Sequence, residues 1–150
     1  MTLEEKQKGW NDYLEHPDTN GLMYDHPEQR GKVVLENELC FFLQDEESDV
    51  LQGSGMIIPK NYRPTLFDLT LEDFIATHDL LQKVKVYLDE TLKPDGYCVG
   101  WNVLPVGGQH VPQAHLHVIP RFADEPYAGH GIRYWLKQKD NLRSSKRMQQ

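Results

Sequence analysis

Apolar side chains recur at helical spacing in one long stretch near the middle of the chain. Together with one threonine they lie at three- and four-residue steps: Phe74, Thr77, Leu81, Val84 and Leu88. This spacing is that of one face of an α-helix. Thr70 with Asp73 is typical of a helix N-cap, and Leu92 precedes a turn that contains a proline. We therefore predict a helix that follows Thr70 and ends near Leu92.

Shorter apolar runs, bounded by turn-forming residues, predict strands on both sides of this helix. They cover Lys32 to Leu35, Leu39 to Leu43, Gly55 to Pro59, Tyr97 to Leu104, and part of Val111 to Pro120. The three residues between the first two runs predict a hairpin. One long helix among several strands favours an α+β domain with a mainly antiparallel sheet over a doubly wound fold.

The ends of the chain carry weaker signals. Thr2 followed three residues later by Glu5 is a capping-box pattern and predicts a short helix through about Leu14. Residues 17–31 are rich in turn formers and predict an irregular arm. Residues 131–137 predict a second short helix. The tail after Asp140 is polar and basic, so we expect it to be mobile.

The size of the chain predicts a single domain. Its 150 residues are 39% hydrophobic and 26% charged, which is an ordinary globular composition. We divide this domain into an N-terminal helix and arm (1–31), a core (32–122) and a C-terminal segment and tail (123–150).

Charge and cysteine content restrict the class of function. The formal net charge of −7 argues against a general binder of nucleic acids or anionic membranes, because both need a positive field. A small anionic ligand is still compatible with it. Cys40 and Cys98 offer no disulfide framework and no paired zinc motif, so buried thiols in a reducing compartment are expected. No apolar run follows the N-terminus, and none reaches the ~20 residues of a membrane helix. We predict a cytoplasmic protein.

The pattern with the clearest chemical content lies in the last predicted strand. From Gln113 to Val118 polar and apolar residues alternate strictly. On a strand, Gln113, His115 and His117 would share one face while the apolar residues pack on the core. The outer face would then present two imidazoles and a carboxamide, roughly 7 Å apart from one Cα atom to the next.

A solvated sheet face would explain this row without any function. Such faces usually carry Lys, Glu and Thr, however, whereas three of the seven histidines of this chain fall between residues 110 and 117. We therefore favour a functional site over a solvated face.

Two chemistries fit paired histidines on a strand. A metal site would need a carboxylate and another histidine close by, but the chain continues as Val118-Ile119-Pro120-Arg121. The other chemistry is nucleophilic catalysis, in which a neutral imidazole attacks an electrophile and neighbouring donors stabilise the developing charge. Such a site suits phosphate and needs no metal.

Donors for a phosphate group are available just upstream. Gly107-Gly108 can bring backbone N–H groups close to an anion. The side chains of Asn102, Gln109 and His110 can add further hydrogen bonds. We predict these three residues as phosphate-binding.

The segment from Gln113 to Ile119 resembles the signature of the histidine-triad (HIT) superfamily, His-φ-His-φ-His-φ-φ, where φ is apolar. The resemblance extends to Trp101-Asn102 ahead of Gly108-Gln109, to Gly53–Lys60, and to Phe67–Thr70 before the long helix. It covers residues from about 32 to 122. The chain looks most similar to bacterial members that resemble dinucleoside polyphosphate hydrolases.

This resemblance implies a five-stranded, mainly antiparallel sheet with one long and one short helix, and a homodimer formed through the long helix. It also implies attack on the α-phosphorus of a nucleotide, followed by hydrolysis of a nucleotidyl-histidine. The nucleophile of the family matches His115, and the residue that contacts phosphate or leaving-group oxygens matches His117. Asn102 matches the amide before the glycine turn, and Gln109 matches the glutamine after it.

Four positions depart from the family pattern. Gln113 stands where the first histidine would be, His110 replaces a Ser or Thr, and Ser54 and Tyr62 replace two upstream histidines. A carboxamide can orient a neighbouring imidazole but cannot shuttle protons. We expect these changes to affect turnover and specificity while the nucleophile is kept.

Four other residues have a weaker link to the site. Gln44 is predicted to be either a ribose contact or a surface residue. Trp135 is expected to be a packed anchor for the tail rather than a nucleotide contact. Arg121 is a candidate phosphate contact, and His130 is expected in solvent.

The sequence thus predicts a nucleotide hydrolase that cleaves a phosphoanhydride or phosphoramidate, with His115, His117 and Gln113 catalytic and Asn102, Gln109, His110 and Gln44 binding the nucleotide. No cofactor is expected, and magnesium would act only through the phosphates of the substrate. The alternatives are a weakly active or inactive nucleotide-binding regulatory module, and a nucleotidyltransferase.

Overall fold

A computed structural model describes residues 1–16, 27–44 and 50–145. The strands form one five-stranded antiparallel sheet with the order β1-β2-β3-β5-β4. They are β1 (Val33–Glu36), β2 (Cys40–Gln44), β3 (Gly55–Pro59), β4 (Gly96–Trp101) and β5 (Leu116–Arg121). The helices are α1 (Leu3–Glu15), α2 (Pro27–Arg30) and α3 (Leu71–Thr91). The prediction of an α+β fold with this kind of sheet is confirmed.

The local signals of the first two-thirds of the chain are confirmed. Both hydrogen bonds of the capping box between Thr2 and Glu5 are present at the start of α1. The hairpin of β1 and β2 and the bounds of β3 agree with the predicted runs. One difference is that residues 27–30 of the predicted irregular arm form the single turn α2. Residues 17–26 of that arm, residues 45–49 and residues 146–150 lie outside the described residues.

The long helix is confirmed, but the predicted face is partly wrong. Its buried residues are Asp73, Thr77, Leu80, Val84 and Leu88, whereas Phe74 is exposed and Leu81 is only half-buried. The cause is a buried carboxylate. Asp73 caps the helix and receives a hydrogen bond of 2.7 Å from Nε of Arg63, so the helix turns this acidic residue inward in place of Phe74.

The hydrophobic core lies between α3 and one face of the sheet. It is built from apolar residues of four elements: Cys40, Phe42, Ile57, Leu80, Val84, Leu88, Leu116 and Val118. Cys40 is a buried thiol as predicted, and Cys98 is half-buried; neither forms a disulfide. The opposite face of the sheet does not contribute to this core.

The last predicted strands are shorter than the sequence pattern indicated. β4 ends at Trp101, and β5 begins only at Leu116, so Gln113 and His115 lie in an extended lead-in before the strand. This lead-in bonds a loop instead of a neighbouring strand, because the N–H of Ala114 donates to the carbonyl of Arg63 at 2.7 Å.

The helix predicted at residues 131–137 is wrong, since this segment forms a series of turns. Arg121 bonds the residues just before this segment. The guanidinium pairs with Glu125 and donates to the carbonyl oxygens of Tyr127 and His130. Within the described ranges, no helix is both long and apolar enough to cross a membrane.

Candidate active site

The sheet presents His117 on the face opposite the core. In β5, Leu116 and Val118 are buried in the core, whereas His117 points to the other side of the sheet. His117 lies opposite Met56 of β3 and Gly100 of β4. The alternation that the sequence predicted therefore holds within the strand.

His115 is held in one tautomer by the backbone. His115 is only 7% exposed, and its Nδ1 atom lies 2.8 Å from the carbonyl oxygen of Gln113. A carbonyl oxygen can only accept a hydrogen bond, so Nδ1 carries the proton. The lone pair of the neutral ring is consequently on Nε2, which is the arrangement that a nucleophilic imidazole requires.

The ring of His117 contacts that of His115, and Asn102 contacts His117 in turn. The two imidazole rings are 4.7 Å apart between centroids and meet edge to face at 75°. Nδ2 of Asn102 lies 3.5 Å from Nε2 of His117, at the outer limit of a hydrogen bond. An amide nitrogen only donates, so Nε2 of His117 accepts in this contact. The site thus combines the lone pair on Nε2 of His115 with the neighbouring polar side chains of His117 and Asn102.

Burial keeps both histidines neutral. Loss of solvent lowers the pKa of His115, the hydrogen bond from its ring to Gln113 opposes this shift, and nearby His110 adds to it. Burial also lowers the pKa of His117, with further lowering from His115 and His110. Both pKa values lie below the ordinary histidine value. The imidazole of His115 is therefore a free base at neutral pH.

The side chain of Gln109 shapes the turn before the site. It is 1% exposed, its Nε2 atom donates to the carbonyls of Pro64 (2.7 Å) and Val111 (3.0 Å), and its Oε1 atom accepts from the N–H of Leu104 (2.9 Å). These bonds fasten the turn at Pro105–Gly107 to the loop that also bonds Ala114. Gly108 closes the turn at φ +102°, a conformation that favours glycine. Gln109 is thus buried, and both the nitrogen and the oxygen of its amide are hydrogen-bonded to the backbone.

Gln113 bonds His115 through its backbone and Tyr13 through its carboxamide. The carbonyl accepts from the imidazole, whereas the buried carboxamide donates from Nε2 to the hydroxyl of Tyr13 in α1, at 2.9 Å. Tyr13 and Arg63 were not among the predicted site residues. The heptad-like spacing of Lys6, Trp10 and Tyr13 along α1 was the only signal for a docked helix face.

A cavity of about 290 Å³ opens beside His117. Its apolar wall includes Leu43, Leu51, Met56 and Ile119, and its polar wall includes Gln29, Lys32, Gln44 and Ser54. Gln44 is buried rather than on the surface, and it is bonded to the carbonyl of Gly53 (3.1 Å) and the hydroxyl of Tyr87 (3.3 Å). The cavity therefore adjoins His117 on one side and Gln44 on the other.

The remaining candidates have other positions. His110 is exposed near the histidine pair. Trp135 is 60% exposed, so it is not a packed anchor, although its ring meets those of Tyr127 and Tyr134. His130 stacks on Tyr134 at 3.7 Å instead of facing solvent. Arg121 is bonded to the C-terminal segment, which withdraws its guanidinium from the predicted phosphate role.

Among the residues that the structure describes, no group of three His, Cys, Asp or Glu side chains is placed to hold a metal ion. The two histidines have amide and carbonyl neighbours instead.

Together, the open antiparallel sheet, the single long helix beneath it and the paired histidines beside a cavity define an α+β protein with a histidine-based site. The HIT domain pattern matches residues 26–124, and the chain belongs to the HIT family.

Three similar proteins illustrate this relationship. A bis(5'-adenosyl)-triphosphatase of Dictyostelium discoideum is 29% identical over 62% of this chain and 62% of its own. An asymmetrical bis(5'-nucleosyl)-tetraphosphatase of Schizosaccharomyces pombe is 29% identical over 48% of this chain and 40% of its own. The matched part thus spans less than two-thirds of either relative. The crystal structure of a HIT family protein from Bacillus anthracis shares the fold, at 24% identity and a TM-score of 0.58, over 79% of this chain and 80% of that one.

Proposed function

We propose that this protein hydrolyses a nucleotide phosphoanhydride or phosphoramidate at its α-phosphate, through a nucleotidyl intermediate on His115. The observation that supports the proposal most directly is the hydrogen bond from Nδ1 of His115 to the Gln113 carbonyl, which leaves Nε2 as a neutral nucleophile. The names of the two relatives, both hydrolases of dinucleoside polyphosphates, support the same class of substrate.

The proposed reaction has two steps. In the first, Nε2 of His115 forms a bond to the α-phosphorus while the bond from phosphorus to the leaving group breaks, and that electron pair departs with the leaving group. In the second, water adds to the phosphorus, the bond to Nε2 breaks, and its electron pair returns to the imidazole. The water proton leaves with the products, which are a nucleoside monophosphate and the free enzyme.

The neighbouring polar groups would serve the phosphate. His117 and Asn102 lie side by side next to the nucleophile, so they are suited to bind phosphate or leaving-group oxygens as charge develops. The exposed His110 stands close enough to affect both pKa values and is assigned to the same phosphate. Gln109 is assigned to hold the glycine turn in place, because its amide is bonded to the backbone.

The nucleoside is assigned to the cavity beside His117. Its walls offer an apolar surface for a base and, at Gln44 and Ser54, polar groups for a ribose. Because His117 lines the cavity and its ring contacts that of His115, a nucleoside bound there would place its first phosphate near His115.

Filling this cavity should weaken nucleotide binding. Ile119 lines it and lies two residues from His117 on the same face of β5. We expect Ile119→Trp to raise the Kd for adenosine monophosphate about tenfold or more, because the larger ring occupies the space of the base. Calorimetric titration measures the effect. Val99→Trp, at an exposed position of β4 on the opposite face of the sheet, is the control. Equal affinities in the wild type and Ile119→Trp would remove the nucleoside from this cavity.

The value of kcat/KM for hydrolysis should be maintained at mildly acidic pH. His115 attacks only as a neutral base, and its pKa lies below the ordinary value of about 6.5. We therefore expect kcat/KM to stay constant as the pH falls through 6.5 and to decline only below it. A dinucleoside polyphosphate is the suitable substrate, since it has no terminal phosphate to titrate in this range. Circular dichroism at each pH shows whether the fold persists. A decline centred at or above pH 6.5 would contradict the assigned nucleophile.

A steady-state assay with diadenosine triphosphate, diadenosine tetraphosphate and adenosine 5'-phosphoramidate tests the proposed function. Release of adenosine monophosphate from at least one of them is expected. Nucleotide binding without turnover of any substrate would favour the regulatory module, and transfer of the nucleotidyl group to an added phosphate acceptor would favour a transferase.

We also propose the homodimer that the family resemblance implies. Exposed apolar residues of α3 support it: Leu71, Phe74, Ile75 and Val86. Sedimentation of the full chain, compared with a Val86→Glu variant, tests this assembly.

A further inference from the structure

The N-terminal helix is docked on the turn that leads into the active site. Lys6, Trp10 and Tyr13 lie at steps of four and three residues and thus share one face of α1. Trp10 is 6% exposed, and Nζ of Lys6 lies 3.4 Å from the carbonyl oxygen of Gly108. The helix contacts the turn at Pro105–Gly107. It therefore lies beside the segment that carries Gln109 and His110 into Gln113.

Tyr13 is joined to the nucleophile by two consecutive hydrogen bonds. Its hydroxyl accepts from Nε2 of Gln113 at 2.9 Å, although the two residues are 100 positions apart in the chain. The carbonyl of the same Gln113 accepts from Nδ1 of His115 at 2.8 Å. One buried residue thus connects the N-terminal helix with the ring that attacks phosphorus.

The burial of Gln113 explains why its bond to Tyr13 affects its bond to His115. The side chain of Gln113 is 3% exposed, and a buried carboxamide without partners is costly. The lead-in residues 113–115 precede β5, and the peptide unit that carries the Gln113 carbonyl is held at its other end, where the N–H of Ala114 donates to the carbonyl of Arg63. A side chain anchored to α1 adds a second restraint on how far the Gln113 backbone can rotate. That backbone determines which nitrogen of His115 keeps the proton.

We propose that Tyr13 is a positioning residue of the active site, which acts through Gln113 to hold the imidazole of His115 in its nucleophilic tautomer. The inference rests on the proposed function. Tyr13 lies outside residues 26–124, which match the HIT domain. The N-terminal helix would therefore complete a site whose first triad position is a glutamine.

Removal of one hydroxyl tests this role. Tyr13→Phe should lower kcat about threefold to tenfold with little change in KM, since a single neutral hydrogen bond is lost. Tyr97→Phe is the matched control, because the hydroxyl of Tyr97 donates to Oδ1 of Asp89 at 2.7 Å on the opposite face of the sheet. It removes a bond to a carboxylate, which is at least as strong as the bond of Tyr13, and should still leave kcat unchanged.

A double-mutant cycle separates positioning from general loss of stability. Gln113→Leu keeps the backbone carbonyl but removes the carboxamide, and it should lower kcat to a similar degree. Tyr13→Phe should then cost nothing further in the Gln113→Leu background. A full additional loss there would show that Tyr13 does not act through Gln113 and would overturn the proposal.

The tautomer of His115 can be measured without any substrate. Nitrogen-15 spectra of histidine-labelled protein should show Nδ1–H in the wild type and in Tyr97→Phe, and a partial shift to Nε2–H in Tyr13→Phe. This readout stays decisive if the wild type hydrolyses no nucleotide, a result that would refute the proposed function alone. Unchanged His115 signals in Tyr13→Phe would refute the positioning role, whatever happens to kcat.

Discussion

His115→Ala is expected to reduce turnover by roughly 10³-fold or more, while nucleotide affinity stays within about fivefold of the wild type. The change removes the only nitrogen lone pair that the backbone of Gln113 leaves free for attack on phosphorus. It leaves the cavity beside His117 intact. Initial rates and a binding titration on the same preparation measure the two effects.

His78→Ala provides the control for this experiment. His78 is an exposed histidine on α3, which packs on the opposite face of the sheet, and its Nε2 atom lies 3.4 Å from Nε2 of Gln82. Its replacement should leave kcat unchanged. Rapid quenching of the wild type, followed by mass spectrometry, should also detect a nucleotidyl adduct on His115. Substantial turnover by His115→Ala would rule out the covalent mechanism.

Asp73→Asn is expected to lower the free energy of unfolding by about 2–4 kcal/mol at neutral pH, which is the second large effect. Asp73 is almost fully buried, and it accepts hydrogen bonds from Arg63 and from the start of α3. Removal of one charge from a buried pair costs ~3–5 kcal/mol, and the partial exposure of Arg63 reduces this range. Chemical denaturation measures the loss.

The same variant should remove part of the acid sensitivity of the fold. Burial raises the pKa of Asp73, but hydrogen bonds from Arg63 and Thr70 outweigh this, so the pKa lies below its ordinary value. The stability that Asp73 contributes is then complete above about pH 4 and is lost as the pH falls through the folded-state pKa. The difference between the wild type and Asp73→Asn should therefore shrink below pH 4.

Glu36→Gln is the matched control, because Glu36 is an exposed carboxylate that pairs with the half-buried Lys60 at 2.9 Å. Exposed pairs contribute little, so its unfolding curve should follow that of the wild type. Equal stabilities for Asp73→Asn and the wild type at pH 7 would mean that the buried pair does not stabilise α3.

The buried pair also links stability to the site. Arg63, which bonds Asp73 through its side chain, accepts the N–H of Ala114 through its carbonyl. The next residue, Pro64, accepts the amide of Gln109. The loop between β3 and α3 is therefore a common support for the glycine turn and for the lead-in to His115.

The sequence alone was enough for the features that depend on local periodicity. The capped helices α1 and α3, the strands β1 to β3 and the alternation around His117 follow from spacings of two to four residues. Backbone sterics and the pleat of a strand impose these spacings wherever the chain lies. The resemblance of residues 113–119 to the histidine triad likewise follows from the sequence, and the family is confirmed.

Only the tertiary structure decided which side chains reach each other across the chain. Asp73 faces inward because it pairs with Arg63. The amide of Gln109 is hydrogen-bonded to the backbone of Leu104 and of Pro64, which lie in separate loops. The tertiary structure also joins Gln113 to Tyr13, a contact between residues 100 positions apart. A hydrogen bond depends on a distance of about 3 Å and on direction. No local spacing encodes that distance between remote segments, so these contacts arise only when the sheet, the loops and α1 pack together.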